Sequence, residues 1–73
     1  MKLEDLLKVT CCSVRIVRHI RGFNDIYIGS HIMERSIEDI YKHNKIVYAH
    51  SYCEVLAISS YYNGIETILT VII

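Results

Sequence analysis

Proline and tryptophan are absent from this 73-residue chain, and glycine occurs only three times. With so few breakers, no linker, repeat or low-complexity segment divides it. Its length is about half that of an ordinary domain, so one domain spanning 1–73 is expected. A large enzyme scaffold with a deep cleft is excluded. Long apolar runs are missing too. The densest, Ile68 to Ile73, is strand-sized, far below the roughly 20 residues of a membrane span. The start, Met1-Lys2-Leu3-Glu4-Asp5, has acids where a signal peptide needs an apolar stretch. A cytoplasmic, non-membrane setting with reduced thiols is expected. Net charge is absent as well: eight Lys and Arg balance eight Asp and Glu. That disfavours a generally basic nucleic-acid binder but allows a local patch.

Cysteine is scarce and odd in number: Cys11, Cys12 and Cys53. Adjacent cysteines rarely bridge, because the linking peptide strains the geometry. His50 and Cys53 form an H-x-x-C pair that Cys11 or Cys12 could join as zinc ligands. Structural zinc normally shows two close-spaced pairs, and a vicinal pair places both sulfurs poorly. The favoured reading is thiols packing as small hydrophobes, with no metal and no cofactor. There is no phosphate-binding glycine loop, Walker-type lysine or metalloprotease helix motif. A Cys53–His50 nucleophile pair is the sole catalytic candidate. A chain this short offers little scaffold to support it, so a non-enzyme is expected.

What the chain does have is apolar surface. Hydrophobic residues make up 52% of it. A domain of this size buries only about 60% of the surface its unfolded chain exposes. Its core rarely supplies more than roughly 3–5 kcal/mol. With disulfides and metal set aside, self-association is the remaining source of stability.

The elements follow from periodicity. Residues 2–9 predict a short helix, since Leu3, Leu6 and Leu7 share one face. Glu4 and Asp5 near its start and Lys8 near its end suit the helix dipole. Residues 12–20 predict a strand, 21–24 a turn and 25–28 a second strand, together a hairpin. Residues 31–43 predict one helix, with Met33, Ile37, Ile40 and Tyr41 on one side. Ser30 or Ser36 is a candidate cap, and Asn44 a stop. Residues 46–52 are ambiguous, with strand favoured over a helical turn.

Val55–Tyr62 and Ile65–Ile73, joined by Asn63-Gly64, predict a C-terminal β-hairpin with a two-residue turn. In that register Tyr62 faces Ile65, Ile58 faces Leu69, and Leu56 faces Val71. One face then holds Leu56, Ile58, Tyr62, Ile65, Leu69, Val71 and Ile73. The other holds Val55, Ala57, Tyr61, Ile68 and Ile72. The expected fold is α+β: a small antiparallel sheet of four to five strands with two helices on one face. The second face is apolar enough to predict a homodimer, by sheet packing or edge pairing, with Val55, Ala57, Ile68 and Ile72 at its interface.

Two groups of residues are candidates for binding. Arg15, Arg18, His19 and Arg21 form a basic cluster, with Phe23 and Tyr27 nearby. Arginine suits bidentate contact with carboxylate or phosphate. Strand-borne Arg and Tyr can also hold single-stranded nucleic acid. Charges on a solvated hairpin that guard a sheet edge are the plain alternative. The chain also carries six tyrosines. Tyr61 and Tyr62, beside the tight turn, are the candidates for exposure, and Tyr41 for the core.

The segment Met1-Lys2-Leu3-Glu4-Asp5-Leu6-Leu7-Lys8-Val9, the strand with Val14 and Ile16, the Tyr27-Ile28-Gly29 segment, and Glu54-Val55-Leu56-Ala57-Ile58 before a terminal strand together form a pattern. It resembles short accessory proteins encoded by phages and mobile elements of low-GC bacteria. The resemblance implies an inhibitor of a bacterial defence effector, of the anti-CRISPR kind, acting stoichiometrically by protein binding. Arg15, Arg18, Arg21, Tyr27, Tyr61 and Tyr62 are the expected contact residues, since Tyr and Arg dominate interface energetics. The alternative is a homodimeric β-sheet binder of nucleic acid.

Overall fold

In the computed structural model, residues 1–18 and 24–73 are described. The chain runs α1 (Leu3–Val9), β1 (Ser13–Val17), β2 (Ile26–Ile28), α2 (Ser30–Met33), α3 (Ile37–His43), α4 (Lys45–Ala49), β3 (Ala57–Tyr62) and β4 (Thr67–Ile72). The class is α+β, with a four-stranded sheet in the order β2-β1-β4-β3. The C-terminal hairpin is present. The sheet is mixed rather than antiparallel throughout, because β1 and β4 pair in parallel. Local hydrophobic patterns do not carry that pairing, since the two strands lie far apart in sequence.

Helix α1 forms where the leucine spacing places it, and Leu3, Leu6 and Leu7 are buried. It has no side-chain cap. Its first free N–H groups go instead to the 51–53 segment: Leu3 N donates to Cys53 O (2.9 Å) and Glu4 N to Ser51 O (2.8 Å). Val55 N donates back to Met1 O at 2.8 Å. So short a helix is marginal alone; here backbone bonds and three leucines hold it.

The helix expected over 31–43 is two helices. Ser36 takes an extended backbone (ψ 158°) at the start of α3, which separates α3 from the single turn of α2. The strand favoured over 46–52 is instead helix α4. Asn44 both ends α3 and caps α4, its side chain accepting from Ile46 N (3.1 Å) and Val47 N (3.3 Å). The β-prone Ile46-Val47-Tyr48 run is overridden by that cap and by burial of Val47.

The core draws on Leu3, Leu6, Leu7, Val14, Ile16, Ile26, Ile28, Met33, Ile40, Val47, Val71 and Ile73. Its β1, β2 and β4 members alternate along their strands and so lie on one face of the sheet. All four described helices supply or adjoin this cluster, so they cover that same face. No residue of β3 is buried.

The terminal hairpin differs in register from the sequence expectation. Ile58 lies opposite Val71, Ser60 opposite Leu69, and Tyr62 opposite Thr67. A two-residue turn of the kind Asn-Gly favours needs positive φ at both positions. Here Gly64 has φ +93° and Asn63 does not. Asn63 Oδ1 accepts from both Ile65 N and Glu66 N at 2.9 Å, which builds a wider loop over 63–66. The shift is by two residues, so the expected faces keep their parity. Ile65, however, leaves the face and sits at the loop tip, 89% exposed. Leu56 also leaves it, since Leu56 N bonds Ile72 O (2.7 Å) while Ala57 lies opposite Ile72, a local bulge.

Burial separates two isoleucines that the sequence ranks alike. Ile16→Val is expected to cost about 0.5–1.5 kcal/mol. Ile65→Val is expected to stay within about 0.5 kcal/mol. Urea midpoints of the two variants check this; equal losses would contradict the placement of the core.

Candidate interaction surface

Side chains alternate along strands and match across them, so the registers fix what occupies the helix-free face. One row across the sheet is Ser13, Ile68 and Tyr61; the next is Tyr27, Arg15, Thr70 and Ser59; the third is Val17, Ile72 and Ala57. Tyr27 and Tyr61 are exposed there, 53% and 63%, while Ile68, Thr70 and Ile72 are half-buried.

The face carries its own polar scaffold. Arg15 Nε donates to Asp25 Oδ2 at 2.8 Å, and its Nη2 reaches the same oxygen. Both side chains are well exposed, so the pair is worth at most about 1 kcal/mol of stability. Its larger effect is to cancel the arginine's charge. Ser13 is 1% exposed, although its parity belongs to this face. Its Oγ accepts from Ser30 N at 3.0 Å and donates to Glu66 Oε2 at 2.6 Å. The Tyr27 hydroxyl donates to Glu66 Oε1. Each hydroxyl has one proton, and both protons go to the carboxylate. The 3.2 Å approach of Tyr27 Oη to Ser13 Oγ is therefore a contact between acceptors' lone-pair sides, not a further bond. These bonds hold the Glu66 carboxyl below the usual carboxylate range, the Ser13 bond contributing most.

The structure brings Arg15, Tyr27 and Tyr61 to one face. It sends Tyr62 to the other, where it is also exposed. Arg18 is half-buried just beyond β1. Arg21, His19, Phe23 and most of the 21–24 turn lie outside the described residues. Of the residues expected at a dimer interface, Ala57, Ile68 and Ile72 share the helix-free face. Val55 instead packs against the core. Tyr41 also packs there, edge-on to Tyr48 with ring centroids 5.1 Å apart. Burial pushes its phenol pKa up.

Sequence reasoning missed Ser13, Asp25 and Glu66. Glu66 had a signal, as one of two acids in an otherwise uncharged stretch after Lys45. Ser13 had none, because its partners are 17 and 53 residues away.

The alternative chemical sites have plain geometry. His50 Nδ1 lies 2.8 Å from Ile46 O, and Cys53 N donates to His50 O at 3.0 Å. Cys53 itself packs against the core. Among the described residues, no group of three His, Cys, Asp or Glu side chains gathers as metal ligands. A hollow lined by Tyr27, Ile28, Ile32, Ile40, His43 and Asn44 holds only about 70 Å³ and opens to solvent. Small-molecule sites run from about 300 to 1,000 Å³. Among the described residues no helix is long and apolar enough to cross a membrane.

Comparison with known proteins gives no matching family model, no similar curated protein and no similar solved structure.

The Glu66 contacts have a pH signature. A carboxyl whose folded pKa lies below its unfolded value adds stability above the unfolded value, roughly 4.3. That stability is lost as pH falls through the folded pKa. Glu66→Gln is therefore expected to flatten part of the acid limb of unfolding followed by circular dichroism below about pH 4.5. An acid limb identical to that of the parent protein would show that Ser13 and Tyr27 do not hold the carboxylate.

Proposed function

We propose that this chain is a non-enzymatic binding module that engages a protein partner through the helix-free face of its sheet. Charge cancellation supports a protein over a nucleic acid. On that face Arg15 is occupied by Asp25, and Glu66 adds a second carboxylate. One cation against two carboxylates leaves the face at −1 among the described residues. Nucleic-acid grooves are positive, because phosphate contacts dominate their affinity. What remains is tyrosine and aliphatic area with a polar frame, the composition of a protein contact. Tyr61, unbonded to the Glu66 group, is the side chain with most to gain by burial.

The resemblance to short phage and mobile-element proteins directs this reading to a bacterial defence effector as the partner, inhibited stoichiometrically. Co-expression with a panel of defence systems, scored by restored phage growth, tests it. With an effector that responds, Tyr61→Ala is expected to cost about 2 kcal/mol, roughly thirtyfold in Kd by titration calorimetry. An unchanged Kd would remove the face from the account. Binding of single- or double-stranded DNA that weakens steeply with rising salt would replace the protein reading by the nucleic-acid one.

A further inference from the structure

Among the described residues strand β3 has one neighbour, β4, so its other side is a sheet edge. Edges with unpaired backbone groups are usually blunted by Lys, other inward charges, Pro or shortness. The opposite edge obeys this: β2 has three residues and Asp25 at its start. The β3 edge does not. It has six residues, all exposed, and the stretch from Leu56 to Ile65 contains no charge and no proline.

The backbone directions along this edge can be assigned. Asn63 N donates to Glu66 O at 3.2 Å, continuing the register in which Tyr62 faces Thr67. Bonded and non-bonded pairs alternate in an antiparallel ladder. Ala57, Ser59 and Tyr61 therefore turn their N–H and C=O groups towards β4. Ile58, Ser60 and Tyr62 turn theirs outward.

We propose that β3 pairs antiparallel with β3 of a second copy of this chain, about a two-fold axis at Ser60. The two four-stranded sheets merge into one, with all helices on one side. That arrangement requires even-numbered residues to face even-numbered ones. Centring on Ser60 uses every outward-facing residue of the strand: Ser60 meets Ser60, and Ile58 meets Tyr62 in both directions. A β-branched side chain opposite an aromatic one is a favourable cross-strand pair. Ile58 and Tyr62 are 47% and 65% exposed, so both gain by the pairing. Self-pairing places no like charges opposite one another, and the chain's formal net charge of zero adds no repulsion at long range. A pairing this short falls below the standard interface of about 1,600 Å², so the dimer is a reversible one. It leaves the helix-free face uncovered, and it does not depend on the function proposed for that face.

Sedimentation velocity from micromolar to near-millimolar concentration tests the pairing. The parent protein is expected to pass from monomer to dimer over that range. Ser60→Lys and Ser60→Glu each place two like charges across the axis and are expected to stay monomeric, with unchanged circular dichroism. Mixed in equal amounts, they are expected to recover a dimer containing one of each. A parent protein that stays monomeric overturns the proposal. So does a dimer indifferent to either substitution, or a mixture that fails to associate.

Discussion

Strand β1 lies in parallel register with β4, from Ser13 beside Ile68 to Val17 beside Ile72. Each also has an antiparallel neighbour on its outer side, β2 on β1 and β3 on β4. Strands β2 and β3 therefore run the same way at opposite edges. Residues 29–56 must carry the chain from one edge to the other, and parallel elements cannot be joined by a tight turn. This segment crosses on a single face and does so as α2, α3 and α4. Helix α1 joins them, fastened to the end of the crossing by its bonds to Ser51 and Cys53. One face of the sheet is thus built over, and among the described residues the other is left without helices.

The same arrangement explains the unequal strands. Val14, Ile16 and Val71 lie in the middle of the sheet, beneath the helices, and are fully enclosed. Strand β3 lies beyond their reach and adds hydrogen bonds but no buried side chain. The helix-free face is held in order by polar contacts rather than by packing. Glu66 draws the Ser13 and Tyr27 hydroxyls together, and Asp25 holds Arg15. These contacts rigidify the surface while removing the free positive charge that a strand-borne arginine would otherwise show. The basic hairpin suggested by Arg15, Arg18 and Arg21 is thereby much less basic at Arg15 than its sequence implies.

Local signals in the sequence led to local structure. The spacing of Leu3, Leu6 and Leu7 locates α1, and alternation locates the four strands. The parity of the terminal hairpin survives a two-residue change of register, since both registers put Ile58 and Tyr62 with Leu69 and Val71. The signals failed where one residue served two elements or where partners were distant. Asn44 reads as a helix stop and is also a helix start. Asn63-Gly64 reads as a tight turn, but the Asn63 side chain caps a wider loop instead. The surface site was half legible: Arg15, Tyr27 and Tyr61 stood out by residue type. Asp25 and Glu66, which decide the charge of that surface, are placed by the fold alone. Tyr61 and Tyr62 look equivalent in sequence, yet strand alternation sends them to opposite faces.

All of this rests on the direction in which β1 meets β4. Nuclear Overhauser contacts between the two strands report it directly. The account requires cross-strand contacts of Val14 with Leu69 and of Ile16 with Val71, advancing together along both strands. Contacts that instead advance along β1 while retreating along β4, or none between these strands, would contradict it.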